Sequence, residues 1–217
     1  MKDQFLPCKK TLVWGGGSCL RVLAPMLESI GRRADFVFSD PSDIAAVECL
    51  TPDLRPDILE AASQCDRYVI SIGGSNGKRR HELSLLFQHE YKLGPISLVH
   101  HTSYICPSAN VDSPIFVMPN VVIHSGAKIS RDCIVNTSAV VEHECMVSEG
   151  VHIMGSAVLT GRCTVRSYST IGTNSTVLPD LVIGANSYVG AGAVVTRNVL
   201  DNSVVVGIPA KPILPDS

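Results

Sequence analysis

The sequence predicts a chain in two parts: residues 1–100 as an α/β domain built on a parallel sheet, and residues 101–217 as an all-β parallel β-helix. Three observations carry this. From Ile105, every sixth residue is a branched aliphatic: Val111, Val117, Ile123, Ile129, Val135, Val141, Val147, Ile153, Leu159, Val165, Ile171, Val177, Ile183, Val189 and Val195. Two residues before each stands a small or apolar one, from Ser103 and Ala109 through Cys133, Ala139 and Cys145 to Ser187 and Ala193. Ahead of this run, residues 11–100 alternate short apolar segments, Gly-rich turns and helix-period stretches.

A period of six with inward positions two apart suits short strands that each point two side chains inward and then turn a corner. It does not match the helical period. Three such strands close a triangular coil of eighteen residues, so Ile105–Val195 supplies five coils. Stacked at the spacing of paired strands, they form a prism about 24 Å long.

In the first part, Thr11–Trp14 reads as a strand running into Gly15-Gly16-Gly17-Ser18. A helix follows, with Leu20, Leu23, Leu27 and Ile30 on one face and Gly31 at its end. Phe36–Ser39 is a second strand closed by Asp40-Pro41, Asp57–Gln64 a second helix, and Tyr68–Ile72 a third strand ending at Gly73-Gly74. Lys78–Tyr91 is a longer helix stopped at Gly94-Pro95, and Ile96–His100 a fourth strand. Strand, turn and helix in repetition give a doubly wound parallel sheet of Rossmann type.

Composition narrows the function. A net charge of -2 gives no reason to expect nucleic acid or an anionic membrane as partner. Residues 1–10 lack a signal-like apolar run and no segment has the length of a spanning helix, so the expected location is cytoplasmic. The eight cysteines form no CxxC pair, and Cys133, Cys145 and Cys163 fall in the small inward column as reduced core residues. His124, His143 and His152 are too widely spaced for a ligand set, and no metal is expected.

Two places carry candidate chemistry. Glycines after the first strand let backbone N–H groups approach a phosphate at a helix N-terminus, although a tight turn wants glycine for its own sake. The full GxGxxG spacing is absent, which disfavours a nicotinamide cofactor. Asp40 could accept from a ribose hydroxyl or simply form the Asp-Pro turn.

The second place is the string Asn136–Cys145. With Val141 and Cys145 inward, His143 and Glu144 occupy a corner. The eighteen-residue register puts Ser125 below His143 and Gly161 above it, leaving room for a ligand and a backbone N–H for an oxyanion. Glu144, stacked between Gly126 and Arg162, could hold the far N–H of the imidazole, with Arg162 competing for the same carboxylate; Glu142 stacks over His124. Asn136 shares its column with Gly172 and Gly190, and His152 points outward from a flat face.

The Gly-rich start (Trp14–Val22), the Asn136–Cys145 string with His152 nine residues after His143, and the tail Gly207–Lys211 carry a resemblance. The chain resembles bacterial nucleotide-amino-sugar acetyltransferases of the bacillosamine and perosamine pathways, and the related sialic acid O-acetyltransferases. These pair a Rossmann-like N-terminal domain with a left-handed hexapeptide-repeat β-helix. The resemblance implies a homotrimer with active sites between subunits, acetyl-CoA as co-substrate and a nucleotide-sugar acceptor. It implies His143 as catalytic base with Glu144 behind it, Asn136, His152 and Gly161 near the acetyl-CoA thioester, and Gly15, Gly17, Ser18, Asp40 and Gly73 at the nucleotide sugar. One departure is Cys19, where the family commonly has histidine.

The expected activity is acetyl transfer to the amino group, with C4 as the expected position, of a nucleotide-linked amino-dideoxy sugar used in surface-glycan synthesis. Two alternatives stay open: O-acetylation of a sugar such as sialic acid, and a non-catalytic trimeric scaffold that senses nucleotides.

Overall fold

The structure, a computed structural model, describes residues 10–39 and 56–213. The chain divides into two compact units: Met1–Ile72 with Glu82–Ile96, and Gly73–His81 with Ser97–Ser217.

The first unit is a four-stranded parallel sheet in the order β2-β1-β3-β4. Its strands are β1 (Thr11–Trp14), β2 (Phe36–Phe38), β3 (Arg67–Ile70) and the short β4 (Gly94–Pro95). The sheet pairs with α1 (Ser18–Ser29), α2 (Pro56–Ser63) and α3 (Gly77–His89), whose first turn is grouped with the second unit. All three expected helices and the first three strands are therefore present to within a residue or two. On α1 the buried face is Leu23, Met26 and Leu27, while Ile30 is exposed; the helix stops before Gly31, whose φ of 71° ends it in the left-handed region. The core of this unit gathers Leu12, Trp14, Ile58, Tyr68, Ile70, Leu83 and Phe87. The Tyr68 hydroxyl lies 2.9 Å from the Ser84 carbonyl, so even its polar tip is satisfied. A two-armed Arg32–Asp66 ion pair, at 3.0 and 2.8 Å, holds the Asp66 carboxyl below the usual range.

The second unit is a solenoid of parallel strands with three faces. One face runs from Asn110–Val111 to Val182–Ile183, the next from Tyr104–Ile105 to Val194–Val195. The third starts at β5 (Leu98–Val99), continues through Cys133–Val135 and His152–Ile153 to Val204–Val206, and is closed by antiparallel Lys211–Pro212. Each strand pairs with the one eighteen residues on, as in Val140↔Val158 and Ile153↔Ile171. From Val117 to Val195 every residue of the six-step series is buried.

At the ends the structure departs from the expectation. The stretch read as a fourth sheet strand, Ile96–His100, instead gives the solenoid its first rung, with Leu98 and Val99 opposite Phe116 and Val117. Val99 lies one step of six before Ile105, so it was already in frame. After Val195 the frame breaks at Asp201, yet Val199 pairs with Ile183 and Val205 with Val189, a last coil two residues shorter.

The corners share one conformation. Asn120, Gly126, Asp132, Ser138, Glu144, Gly150, Ser156, Arg162, Tyr168, Asn174, Asp180, Asn186 and Gly192, six apart, all have φ between 53° and 68°. A left-handed residue at each corner is what turns one rung into the next. Glu144 adopts it because of the solenoid, not because of its chemistry.

Candidate active site

His143 and Glu144 form the turn between Val140–Val141 and Met146–Val147, held by its neighbours above and below. The Glu144 N–H donates to Ser125 O at 3.0 Å and the Arg162 N–H to His143 O at 2.9 Å. Between the side chains, His143 Nδ1 stands 3.2 Å from Glu144 Oε2. Both are well exposed, at 44% and 64%. Arg162 does not compete: it makes a two-armed pair with Asp180 at 2.6 and 2.8 Å, which leaves Glu144 to the imidazole. Glu142 sits 3.9 Å from His124, as the register implied.

The imidazole lies over Gly161. A Cβ there would come 2.5 Å from Nε2 and 2.7 Å from Cε1 of His143, so the ring occupies the space that a side chain would fill.

Asn136 and His152 meet at a different corner. His152 is on the third face, beside Asn136 at the end of Cys133–Val135, with Asn136 Nδ2 and His152 Nε2 3.4 Å apart. The sequence put His152 outward from a flat face. It does point outward, but residues Gly73–His81 of the same unit cover it: His152 is 5% exposed and its Nδ1 is 2.9 Å from Gly74 O. Burial, with the Arg80 charge adding to it, pushes its pKa down to about 4 against the raising effect of the Gly74 bond. No sequence signal marked this cover, because the residues that provide it are some seventy positions away.

The other expected residues fall as follows. In the first unit, Gly15 has φ 103° and approaches Ser71 so closely that a Cβ would strike the Ser71 carbonyl oxygen. Gly17 caps α1 without a side-chain bond and has open space where a Cβ would be; Ser18 begins the helix. Gly15 is thus fixed by the turn, while Gly17 leaves the helix N-terminus open to an anion. Gly73 is grouped with the second unit, where its carbonyl lies 3.3 Å from Asn76 Nδ2. Asp40 lies outside the described residues. Sequence reading missed the buried Arg80 and the buried solenoid corner residue Asp132, whose carbonyl accepts from it.

Among the described residues no cluster of three His, Cys, Asp or Glu is arranged to hold a metal ion, and no helix is long and apolar enough to cross a membrane. The cysteines at 133, 145 and 163 are free and buried in the inward column; burial pushes the Cys133 thiol up to about 12.

Residues 162–197 match the family described as bacterial transferase hexapeptide, six repeats. That stretch of the solenoid carries the repeat which the family describes. Over 43 residues it is 54% identical to a Schizosaccharomyces pombe protein of acetyltransferase type, and over 51 residues 41% identical to dTDP-3-amino-3,6-dideoxy-α-D-galactopyranose 3-N-acetyltransferase of Aneurinibacillus thermoaerophilus. These matches cover 20% and 24% of this chain and span only 21% and 27% of those two proteins.

Solved structures match over far more. A variant of perosamine N-acetyltransferase from Caulobacter crescentus, in complex with CoA and GDP-perosamine, aligns with a TM-score of 0.83 at 25% identity, over 95% of this chain and 97% of that one. The acetyltransferase domain of PglB from Neisseria gonorrhoeae, in complex with acetyl coenzyme A, aligns at 0.78 and 25% identity, over 94% and 99%. The hexapeptide-transferase architecture with an N-terminal α/β unit is therefore shared along nearly the whole length.

Proposed function

We propose that this protein transfers the acetyl group of acetyl-CoA to the amino group of a nucleotide-linked amino-dideoxy sugar. The observation that carries the reading is the near-complete match to a sugar N-acetyltransferase structure holding both CoA and GDP-perosamine, combined with a His–Glu pair on a solenoid corner.

The residues divide the work as follows. The Glu144 carboxylate only accepts, so it fixes the proton of His143 on Nδ1 and leaves the Nε2 lone pair free. Nε2 takes a proton from the attacking amine as its nitrogen bonds to the thioester carbonyl carbon. The tetrahedral oxyanion accepts from the Gly161 N–H. When the C–S bond breaks, the proton held by His143 passes to the departing thiolate. Acetyl-CoA and acceptor react within one ternary complex, without an acyl-enzyme. In the first unit, Gly15, Gly17 and Ser18 receive the nucleotide sugar, with the open start of α1 suited to its diphosphate; the parts that the resemblance gives Asp40 and Gly73 stay expectations.

His143 and Gly161 share one edge of the solenoid, whereas Asn136 and His152 share another. If all four serve one acetyl group, the second edge comes from a neighbouring copy, which is the reason to expect a homotrimer with sites between subunits. Tyr104 and Met146, each 53% exposed on outer faces, suit such covering. The enzyme would act in the cytoplasm, where acetyl-CoA and nucleotide sugars are available.

The test is incubation with acetyl-CoA and a panel of acceptors: UDP-, dTDP- and GDP-linked amino sugars, and free sialic acid. A nucleotide amino sugar should gain one acetyl group by mass, with CoA released in equal amount. Acetylation of sialic acid alone would replace this reading with the O-acetyltransferase one, and CoA binding without turnover on any acceptor would contradict it.

A further inference from the structure

The segment Gly73–His81 is fastened to the solenoid more firmly than a connection requires. Its backbone meets that of a corner directly: a Cβ on Gly77 would strike the Gly150 carbonyl oxygen, and one on Gly150 would come 2.7 Å from the Tyr168 ring. Arg80, only 2% exposed, donates from Nε to Asp132 O at 2.7 Å and from a terminal nitrogen to Gly150 O at 3.0 Å. His81 Nδ1 is 2.7 Å from Asp132 Oδ2, which Arg131 Nε also reaches at 3.1 Å. A buried guanidinium is costly unless its donors are satisfied, and this one is anchored to the stacked corners of two adjacent coils.

The strap delivers the Gly74 carbonyl to His152. A carbonyl can only accept, so the bond at 2.9 Å places the ring proton on Nδ1 and leaves Nε2 as an acceptor. Nε2 faces the Asn136 amide nitrogen at 3.4 Å, and Asn136 Oδ1 accepts from the Thr137 N–H at 2.7 Å. Backbone groups of fixed polarity stand at both ends of this chain, so every proton along it is assigned. The second N–H of the Asn136 amide is the donor left over for a ligand.

We infer that Arg80 is a positioning residue: by clamping the strap to the solenoid it sets which nitrogen of His152 carries the proton and, through that ring, the orientation of the Asn136 amide. His152 is then a neutral relay, not an acid or base. The strand neighbours of the ring, Ile134 and Thr170, are uncharged, and the charge that acts on it from the strap is Arg80 itself. The catalytic value of Asn136 rests on the proposed acetyl transfer; the placement of the proton does not.

The experiment is nitrogen-detected NMR of the full chain labelled in histidine, with the His152 signals assigned by their loss in His152→Gln. The wild-type ring should show a protonated Nδ1 and a bare Nε2, flat between about pH 8 and pH 5. In Arg80→Lys, which keeps the charge but replaces the two nitrogens that reach separate carbonyls by one, the other tautomer should appear and titration should move toward the ordinary value. Gly77→Ala, which lifts the strap while leaving Arg80 in place, should do the same and stands in for Arg80→Lys if that variant does not fold. Either variant should lower kcat/KM by about tenfold, since misplaced binding groups act at this scale. A protonated Nε2 in the wild type, or the wild-type signature kept in the folded variants, overturns the inference. The expected tautomer in a protein with no acetyl transfer on any acceptor would instead sink the proposed function and leave the relay standing.

Discussion

At the scale of single residues, His143 is held by its surroundings and not by burial. Glu144 secures one ring nitrogen, and the bare Gly161 makes space for the other. Gly161→Ala is therefore a clean perturbation: its Cβ would push against Nε2 at the end of a half-exposed side chain that can swing away. Thermal stability should change little while kcat falls at least tenfold, a result checked by pairing a melting curve with steady-state kinetics. Unchanged kcat would remove the ring position from the mechanism.

His152 gives a prediction in pH. Its folded pKa of about 4 lies below the ordinary 6.5, so the unfolded chain takes up a proton first as the solution is acidified. The contribution is whole above pH 6.5 and is lost as pH falls through about 4, amounting to something on the order of 3 kcal/mol. Denaturant melts of wild type and His152→Gln across this window should show a steeper loss of stability in the wild type. At this scale, the Glu142–His124 stack and the Glu144–His143 pair were legible from the register alone. Arg162 was not, because Asp180, one coil further on, offers it two oxygens where Glu144 offers a carboxylate already committed.

At the scale of elements, a rung of the solenoid is two inward side chains, an extended pair and a left-handed corner. Its strength lies in the inward column, where Ile153 is fully buried between Val135 and Ile171. Ile153→Ala should cost about 2–5 kcal/mol, whereas Val158→Thr, on the outward position of a rung, should stay within about 0.5 kcal/mol. Chemical denaturation distinguishes the two, and equal losses would mean that the column is not the core. The period of six made the rungs readable because each must repeat the same geometry. It misled at the start, where the apolar run Ile96–His100 looked like a sheet strand although Val99 was already in frame. At the far end the corner after Val195 changes length, and a fixed period cannot follow a change of length. The strap was invisible for a different reason: Gly77, Arg80 and Asp132 are ordinary residues until the fold brings their backbones together.

At the scale of the molecule, the two-part architecture was legible because each part has its own period, helix-and-strand in one and six in the other. The proposed division of labour uses the open helix start of the first unit and the exposed His143–Glu144 pair of the solenoid. The separation of His143 and Asn136 onto different edges predicts an assembly. Light scattering on the purified chain should give a mass of three copies, and a monomer at working concentration would contradict the shared site.

The central claim, that the corner imidazole is the base for acetyl transfer, is tested most directly by turnover and CoA binding in His143→Asn. The account predicts that kcat on the best nucleotide amino sugar falls by about a hundredfold or more, the scale of general-base catalysis. Calorimetric affinity for CoA and the melting temperature should stay close to wild type. Full turnover in His143→Asn would contradict it.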